Sequence, residues 1–228
     1  MVDGYEKTVT DRSADPRTEI PCIVVDLDGT LLRANSLRLF IRFMARKFAR
    51  EGRVVPLVRI LWLLAARRAR LIPHVGMKYP IHRLAAATVG EDELEEFAGS
   101  LRGYVCAPLL DELSRLKGEG WRVMLATAAP SLYIPQLAGH LGIDEWVATP
   151  LTDTPASYTE TRGERKLELA LGRAAAKGWR IKAVATDHED DLPVLRLDGV
   201  RRLLVNSTDR LSVMMVGLGL AFEKIDCR

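Results

Sequence analysis

The apolar positions of this chain fall into two patterns, short continuous runs and longer stretches with helical spacing. The run IPCIVV, which ends at Asp26, is short and rich in β-branched residues, and this predicts a buried strand. RVMLATAAP, IKAVAT and VRRLLVN are runs of the same kind further along the chain, and IDEWVATPL contains a shorter one. The pattern predicts four clear strands and a short fifth strand.

Helical spacing dominates from Ser36 to about Val105, between the first two strands. Apolar residues at intervals of three and four predict an amphipathic helix whose inner face consists of Leu37, Phe40, Ile41, Met44 and Phe48. Further helices are predicted over VVPLVRILWLLAARRARL and GEDELEEFAGSLRGYV. We interpret the apolar stretch around Trp62 as the core of a helical subdomain, since it is too short and too interrupted by arginine to span a bilayer.

Helices are also predicted between the later strands, over CAPLLDELSRLKGEGW, SLYIPQLAGHLG and ERKLELALGRAAAKG. The order is a strand, a helical insertion, and then alternating helices and strands. Such alternation is typical of an α/β fold with a doubly wound parallel sheet and helices on both faces. We therefore predict an N-terminal tail at 1–19, a core formed by 20–35 and 106–228, and an inserted helical domain at 36–105.

The composition, 48% hydrophobic and 28% charged residues, is ordinary for a globular protein of 228 residues. The three cysteines, Cys22, Cys106 and Cys227, are far apart and form no CxxC pattern, so we predict neither a disulfide framework nor a zinc site. These features, together with a polar N-terminus that does not resemble a signal peptide, predict a cytoplasmic, reducing location.

Charge is distributed unevenly, although the net charge is only +3. Between residues 33 and 70 a single acid, Glu51, stands against eleven basic residues: Arg33, Arg38, Arg42, Arg46, Lys47, Arg50, Arg53, Arg59, Arg67, Arg68 and Arg70. This segment therefore carries about +10 and the rest of the chain about −7. The asymmetry predicts an anionic partner for the inserted helices.

Three of the predicted strands end at polar residues: Asp26 and Asp28, Thr127, and the stretch from Asp187 to Asp191. Ligands of parallel α/β sheets bind beyond the carboxyl ends of the strands. These side chains are therefore expected to converge on a ligand, together with a cation that offsets their charge.

Four motifs carry a resemblance to a known family. VVDLDGTLL, LATAAP, RGERKLELA and ATDHEDDLPVL follow one another in the order used by the haloacid dehalogenase superfamily. The second motif and the residues after it resemble the phosphoserine-phosphatase-like branch of that superfamily. Thr186 and His188 depart from the usual fourth motif, which often has glycine and a small residue there.

The resemblance implies phosphomonoester hydrolysis through an aspartyl-phosphate. Asp26 would be the nucleophile. Asp28 would be the general acid and then the general base, with a pKa raised by the nearby like charge. Gly29 would permit a tight turn, and the phosphate would be bound by Gly29, Thr30 and Ala128, with backbone N–H groups of the turn as donors.

The same resemblance implies that Thr127 hydrogen-bonds a phosphoryl oxygen and that Lys166 balances the negative charge, with Arg162 and Arg165 as alternatives for Lys166. The cofactor would be Mg²⁺, bound by Asp26, Asp187 and the main-chain carbonyl of Asp28.

Asp191 would complete the metal site by holding a metal-bound water, or would instead hold Lys166. Asp190 would lie beside the site without a direct role, and His188 is expected to be exposed. The plainer alternative for each carboxylate is a turn cap or a salt bridge.

The inserted helices correspond to the position of the family's cap, which closes over the active site and recognises the leaving group. The stretch LLRANSLRL lacks the acid that phosphoserine phosphatases use to bind the substrate amine. A basic and apolar cap instead favours a lipid phosphate or a polyanionic phosphate, and peripheral contact with an anionic membrane.

Other functions stay open at this point. The chain could be a non-catalytic membrane- or partner-binding module on a degenerate phosphatase scaffold, or a phosphotransferase that uses the same intermediate. Nucleic acid is not an expected partner, because the aromatic residues of the basic segment are spaced for a helical core rather than for base stacking.

Overall fold

The computed structural model describes residues 19–227. Its six parallel strands form one sheet in the order β3-β2-β1-β4-β5-β6, which confirms the predicted parallel sheet. The strands are β1 (Ile20–Val25), β2 (Arg122–Pro130), β3 (Glu145–Thr149), β4 (Trp179–Thr186), β5 (Arg201–Val205) and β6 (Glu223–Ile225). The sequence pattern missed β6, because three largely exposed residues at the edge of a sheet leave no apolar run.

Helices cover both faces of this sheet. They are α1 (Ser36–Arg50), α2 (Val54–Arg68), α3 (His74–Thr88), α4 (Glu91–Ser100), α5 (Ala107–Gly118), α6 (Ile134–Leu141), α7 (Glu164–Ala176), α8 (Leu192–Leu195) and α9 (Asp209–Gly217). In residues 19–227, no helix is long and apolar enough to cross a membrane.

The side chains of β1 alternate between two hydrophobic cores, as the pleat of a strand requires. Ile23 and Val25 join the core built with α1, α4, α5 and α6. Cys22 and Val24 join the core built with α7, α8 and α9. Both faces of β1 are thus buried, which explains why its sequence is a continuous apolar run rather than an alternating one.

Four helices, α1 to α4, and a short 3₁₀ turn form a helical insert at residues 36–104. Two of its helices are anchored to the main core through aromatic rings. Phe40 of α1 and Phe97 of α4 lie with their ring centroids 5.0 and 5.1 Å from the ring of Tyr133, which precedes α6. The insert therefore shares the larger core, and the boundaries of a separate domain at 36–105 stay a prediction. The predicted N-terminal tail lies outside the described residues except for Glu19.

The interpretation of Trp62 as a core residue was wrong. Its side chain lies on α2 and is 61% exposed. Helical spacing alone could not separate the two faces of α2, because almost every residue from Val54 to Ala66 is apolar. The buried face is formed by Ile60, Leu63 and Ala66.

The expectation that the cysteines are unpaired was also wrong. Cys106 and Cys227 form a disulfide, with their Cα atoms 5.3 Å apart, although 121 residues separate them in sequence. Cys106 lies just before α5, where its N–H donates to the carbonyl of Leu31. The N–H of Cys227, just after β6, donates to the side chain of Asn206 at 2.8 Å. Strand β6, which the sequence pattern missed, brings Cys227 next to Cys106. The spacing of the cysteines in the sequence therefore could not predict the pair.

Candidate active site

The carboxyl end of β1 is the centre of the site. β1 lies between β2 and β4, and the N–H of Asp26 still donates to the carbonyl of Ala185 in β4 at 2.9 Å. Thr127 lies near the end of β2 and Asp187 directly follows β4. All three predicted site residues line one cavity of about 480 Å³. Side chains far apart in sequence therefore converge where the strands end, as expected for this class of sheet.

Lys166 reaches this point from α7. Its Nζ lies 2.8 Å from Oδ1 of Asp26 and 2.6 Å from Oδ1 of Asp191. The alternative cations point elsewhere, since Arg162 pairs with Asp190 and Arg165 pairs with Glu168. Of the three candidates, Lys166 is the one whose charge lies against the predicted nucleophile.

Asp191 is fully engaged by side chains of the protein. Its Oδ1 pairs with Lys166, and its Oδ2 accepts the hydroxyl of Thr186 at 2.7 Å. The threonine that departs from the usual fourth motif therefore orients this carboxylate. Among the two roles predicted for Asp191, the geometry favours holding Lys166.

The turn after β1 is packed tightly against Asp187. Gly29 has φ +92°, and a Cβ atom at this position would collide with the carboxylate of Asp187. Glycine is thus required here both by backbone conformation and by space. The hydroxyl of Thr30, which is buried, lies 3.0 Å from Oδ1 of Asp187 and 3.3 Å from Oδ2 of Asp26. It brings the two carboxylates to one place.

The backbone donors of this turn do not support the predicted phosphate role. The N–H of Gly29 donates to the carbonyl of Leu32 at 2.8 Å, and that of Thr30 donates to Leu27 at 3.3 Å. Both donors are used to close the turn itself. Thr127 and Ala128 line the cavity instead, and the Thr127 hydroxyl already accepts the N–H of Ala129 at 3.0 Å. That bond fixes the hydroxyl while leaving its proton free to be donated.

Asp28 points toward the start of the insert. Its Oδ1 accepts the N–H of Ser36 at 2.8 Å, and its Oδ2 accepts the side-chain amide of Asn35 at 3.2 Å. Burial raises the pKa of Asp28, while the hydrogen bonds from Ser36 and the charge of Lys78 oppose the shift. The predicted direction is therefore right, but burial and not the neighbouring like charge is its cause.

The remaining charges are strongly interdependent. Burial raises the pKa of Asp26 to about 7, with Asp191 and Asp187 adding to the shift and Lys166 opposing it. Burial alone would lower the pKa of Lys166, but the Asp26 and Asp191 carboxylates outweigh that effect and raise it. Lys166 is thus held protonated among more negative charge than it can balance.

This excess of negative charge is what a divalent cation would relieve. Within residues 19–227, no three His, Cys, Asp or Glu side chains form a complete metal cage. Mg²⁺ needs less than that, since it prefers one or two carboxylates with water and substrate oxygens. Asp26 and Asp187, brought together by Thr30, supply hard oxygen ligands of this kind, and burial raises the pKa of Asp187 as well. The residues present fit the cation.

The helical insert forms the opposite wall of the cavity. The sequence had not indicated which residues of the insert would line the site. Lys78 of α3 is almost fully buried, donates to the carbonyl of Ala128 at 2.6 Å and pairs with Glu160. His74 lies 3.6 Å from the same glutamate. These contacts cross from the insert to the core and tie the wall to the end of β2. Only tertiary structure could have shown them, because each residue alone is unremarkable in its sequence context.

His188 and Asp190 occupy the rim. His188 is exposed, as expected, and its Nδ1 accepts the N–H of Asp190 at 3.1 Å. Asp190 pairs outward with Arg162. No hydrogen bond or ion pair joins either residue to Asp26 or Lys166, and the absence of a direct role for Asp190 stays a prediction.

Residues 23–196 match the family of haloacid dehalogenase-like hydrolases. Because the match covers well over half of the 228 residues, the chain belongs to that family and is a hydrolase. The resemblance inferred from the four motifs is confirmed.

Solved structures share the fold at low sequence identity. A protein of unknown function from Bordetella pertussis has a TM-score of 0.70 at 20% identity, over 90% of this chain and 98% of that one. A HAD family hydrolase from Salmonella enterica serovar Typhi has a TM-score of 0.57 at 14% identity, over 87% and 67%. A phosphoserine phosphatase, solved as a phospho-aspartyl intermediate analogue, has a TM-score of 0.53 at 13% identity, over 91% and 93%. No curated protein matches the sequence significantly.

Proposed function

We propose that the protein is a Mg²⁺-dependent phosphatase that hydrolyses a phosphomonoester through an aspartyl-phosphate on Asp26. The observation that carries the proposal is the contact of Lys166 with Asp26 at 2.8 Å, with Lys166 itself held by Asp191. The charge of Lys166 opposes the burial that raises the pKa of Asp26, so it favours the ionised nucleophile, and it leaves a cation beside the position of the incoming phosphate.

Each step can be assigned to a residue. An oxygen of Asp26 attacks phosphorus in line with the leaving group, and the bond from phosphorus to the leaving oxygen breaks. Asp28, which burial helps to keep protonated, gives its proton to that oxygen. Asp28 then takes a proton from the water that attacks the aspartyl-phosphate, and phosphate leaves. The Thr127 hydroxyl and Lys166 hold phosphoryl oxygens during both steps.

Asp26, Asp187 and the main-chain carbonyl of Asp28 would hold the magnesium ion. When bound, the ion would neutralise charge on the phosphoryl oxygens and on the nucleophile. Asp191 acts on this site through Lys166, because both of its oxygens are already bound.

The proposed substrate is a lipid phosphate or another phosphate with additional negative charge. Arg38, Arg67 and Lys78 of the insert line the cavity, and Leu37 and Leu64 give it an apolar side. The cationic wall also favours peripheral contact with an anionic membrane. The proposed location is cytoplasmic, and the Cys106–Cys227 disulfide is the observation that weighs against it, because reducing compartments keep most thiols free.

Hydrolysis of p-nitrophenyl phosphate with Mg²⁺ and with EDTA tests the proposal. We expect metal-dependent turnover in the wild type, a loss of about 1,000-fold or more in Asp26→Asn, and wild-type rates in the control Asp198→Asn, which changes an exposed aspartate outside the cavity. Equal turnover by Asp26→Asn would overturn the assigned nucleophile. No turnover by folded wild type on this ester and on phosphorylated lipids would favour the non-catalytic scaffold.

A further inference from the structure

Helix α2 presents a continuous apolar face to solvent. Five of its large apolar side chains are more than half exposed: Val54, Val55, Val58, Leu61 and Trp62. Their spacings of three, four and seven residues place them on one side of the helix, and we call them the α2 face. Contiguous clusters of exposed apolar side chains mark sites of contact with proteins, membranes or ligands.

The α2 face is not required by the fold. The opposite side of the helix, formed by Ile60, Leu63 and Ala66, already packs into the protein. Folding explains those three residues, but nothing in residues 19–227 covers Trp62 or its neighbours. A surface partner would explain why the outer side is apolar as well.

Basic residues surround the α2 face. Arg59 and Arg68 are exposed and lie at its two edges, and Arg70 follows just beyond the helix. No aspartate or glutamate occurs anywhere from residue 52 to residue 90, where seven lysines and arginines occur. An apolar centre with exposed arginines at its edges is complementary to an anionic surface that has an apolar interior.

We propose that the α2 face inserts into the interfacial region of an anionic lipid bilayer, with Arg59 and Arg68 against the lipid headgroups. An interfacial helix gains from burying apolar area and from each cation near the negative surface. A second copy of the chain fits less well, because two such faces would bring their edge arginines together, and residues 52–90 contain no acid to pair with them. Charge therefore favours the membrane.

The docking surface is connected to the cavity through one helix. Leu64 and Arg67 of α2 line the cavity that contains Asp26. When the protein is docked, the helix that contacts the membrane would therefore also form part of the wall of the cavity. The docking itself does not depend on catalysis, whereas its use in presenting a lipid phosphate rests on the proposed function.

Co-sedimentation of the full chain with lipid vesicles tests the proposal. The vesicles contain phosphatidylcholine alone or with about one third phosphatidylserine. We expect binding to the anionic vesicles, weakened about tenfold or more by Val58→Ser with Trp62→Ser, and weakened also by Arg59→Gln with Arg68→Gln or by added salt. Val213→Ser with Val216→Ser is the matched control and should bind like the wild type, since these valines lie on α9 and are at least as exposed as Val58 and Trp62.

Several outcomes would overturn the proposal. The first is that the wild type does not bind anionic vesicles, and the second is that the α2 variants bind them as well as the wild type does. The third is a dimer in solution that Trp62→Ser converts to a monomer, which would assign the face to a second copy of the chain. Asp26→Asn should bind vesicles like the wild type. If the wild type binds vesicles but shows no turnover, the proposed phosphatase activity fails and the docking proposal stands. If the wild type shows turnover but does not bind vesicles, the docking proposal fails and the phosphatase proposal stands.

Discussion

At the carboxyl end of the sheet charged groups are buried, whereas on α2 large apolar groups are exposed. Lys166 and Asp191 are 4% and 3% exposed, while Val55 is 80% exposed. Both arrangements are unfavourable in an isolated protein, for opposite reasons: buried charges lose their hydration, and exposed apolar groups order water around them. The contrast separates the two proposals, because a phosphate and a cation would offset the buried charges, whereas an apolar, anionic surface would cover the exposed side chains.

The two regions also differ in whether their side chains have partners inside the protein. Both carboxylate oxygens of Asp191 have a partner, because Lys166 pairs with one and the hydroxyl of Thr186 donates to the other. The side chains of the α2 face have no comparable packing. Removing a group from the first region should therefore be costly, and removing one from the second should not.

The largest effect is expected for Lys166→Met. The variant leaves Asp26 and Asp191 buried with like charges and no cation, so we expect the free energy of unfolding to fall by about 3 kcal/mol and turnover to fall about 100-fold or more. Denaturant unfolding and p-nitrophenyl phosphate hydrolysis measure the two losses. Lys177→Met, which removes a half-exposed lysine paired with Glu145, is the control and should change stability by less than about 1 kcal/mol. Equal losses in the two variants would contradict the comparison.

A smaller effect concerns a buried titratable group of the insert. Burial and the charge of Lys78 lower the pKa of His82 from 6.5 to about 4. Between these two values the unfolded chain binds a proton that the folded protein excludes. The stability contributed by neutral His82 is therefore complete above pH 6.5 and is lost as pH falls toward 4, by on the order of 3 kcal/mol at most.

Unfolding curves at several pH values check this expectation. The slope of unfolding free energy against pH should be shallower in His82→Leu than in the wild type between pH 6.5 and pH 4. Below that window Glu160, whose pKa is held at about 2 by His74 and Lys78 against the effect of burial, adds its own loss. An unchanged slope in His82→Leu would mean that another group causes the loss of stability between pH 6.5 and pH 4.

The smallest effect is expected on the α2 face. Leu61→Ala removes an exposed side chain and should change the free energy of unfolding by no more than about 0.5 kcal/mol. Leu63→Ala, two residues away on the buried side, should cost about 2 kcal/mol or more. Thermal or denaturant unfolding of the two variants compares the faces of one helix directly. Similar losses would show that the outer face is packed in solution, and would remove the reason for a partner there.

Much of the catalytic end of the sheet was predictable. Asp26, Thr127 and Asp187 each follow or end an apolar run, and the carboxyl ends of parallel strands meet at one edge. Order along the chain therefore determines convergence in space, and the α/β class follows from the same pattern. The choice of Lys166 over Arg162 and Arg165 was left open, because these three cations lie within five residues and the sequence does not show where their side chains point.

Other features were decided by tertiary structure alone. The Cys106–Cys227 pair depends on β6, whose three residues carry no detectable pattern. The contact of Lys78 with Glu160 joins two segments that sequence analysis had no reason to connect. The raised pKa of Asp28 was expected, but its cause is burial, which only the packing of the insert against the sheet could reveal.

The sequence by itself determined where five of the six strands lie, the order of the motifs and the family, because these depend on local periodicity and on residues that are close along the chain. Tertiary structure decided which side of α2 is buried, which cation meets Asp26 and which cysteines pair. Those choices depend on distances between segments, and a one-dimensional pattern contains no such distances. The exposure of Trp62 illustrates the limit, since an apolar helix has the same sequence whether one of its faces is buried or both are.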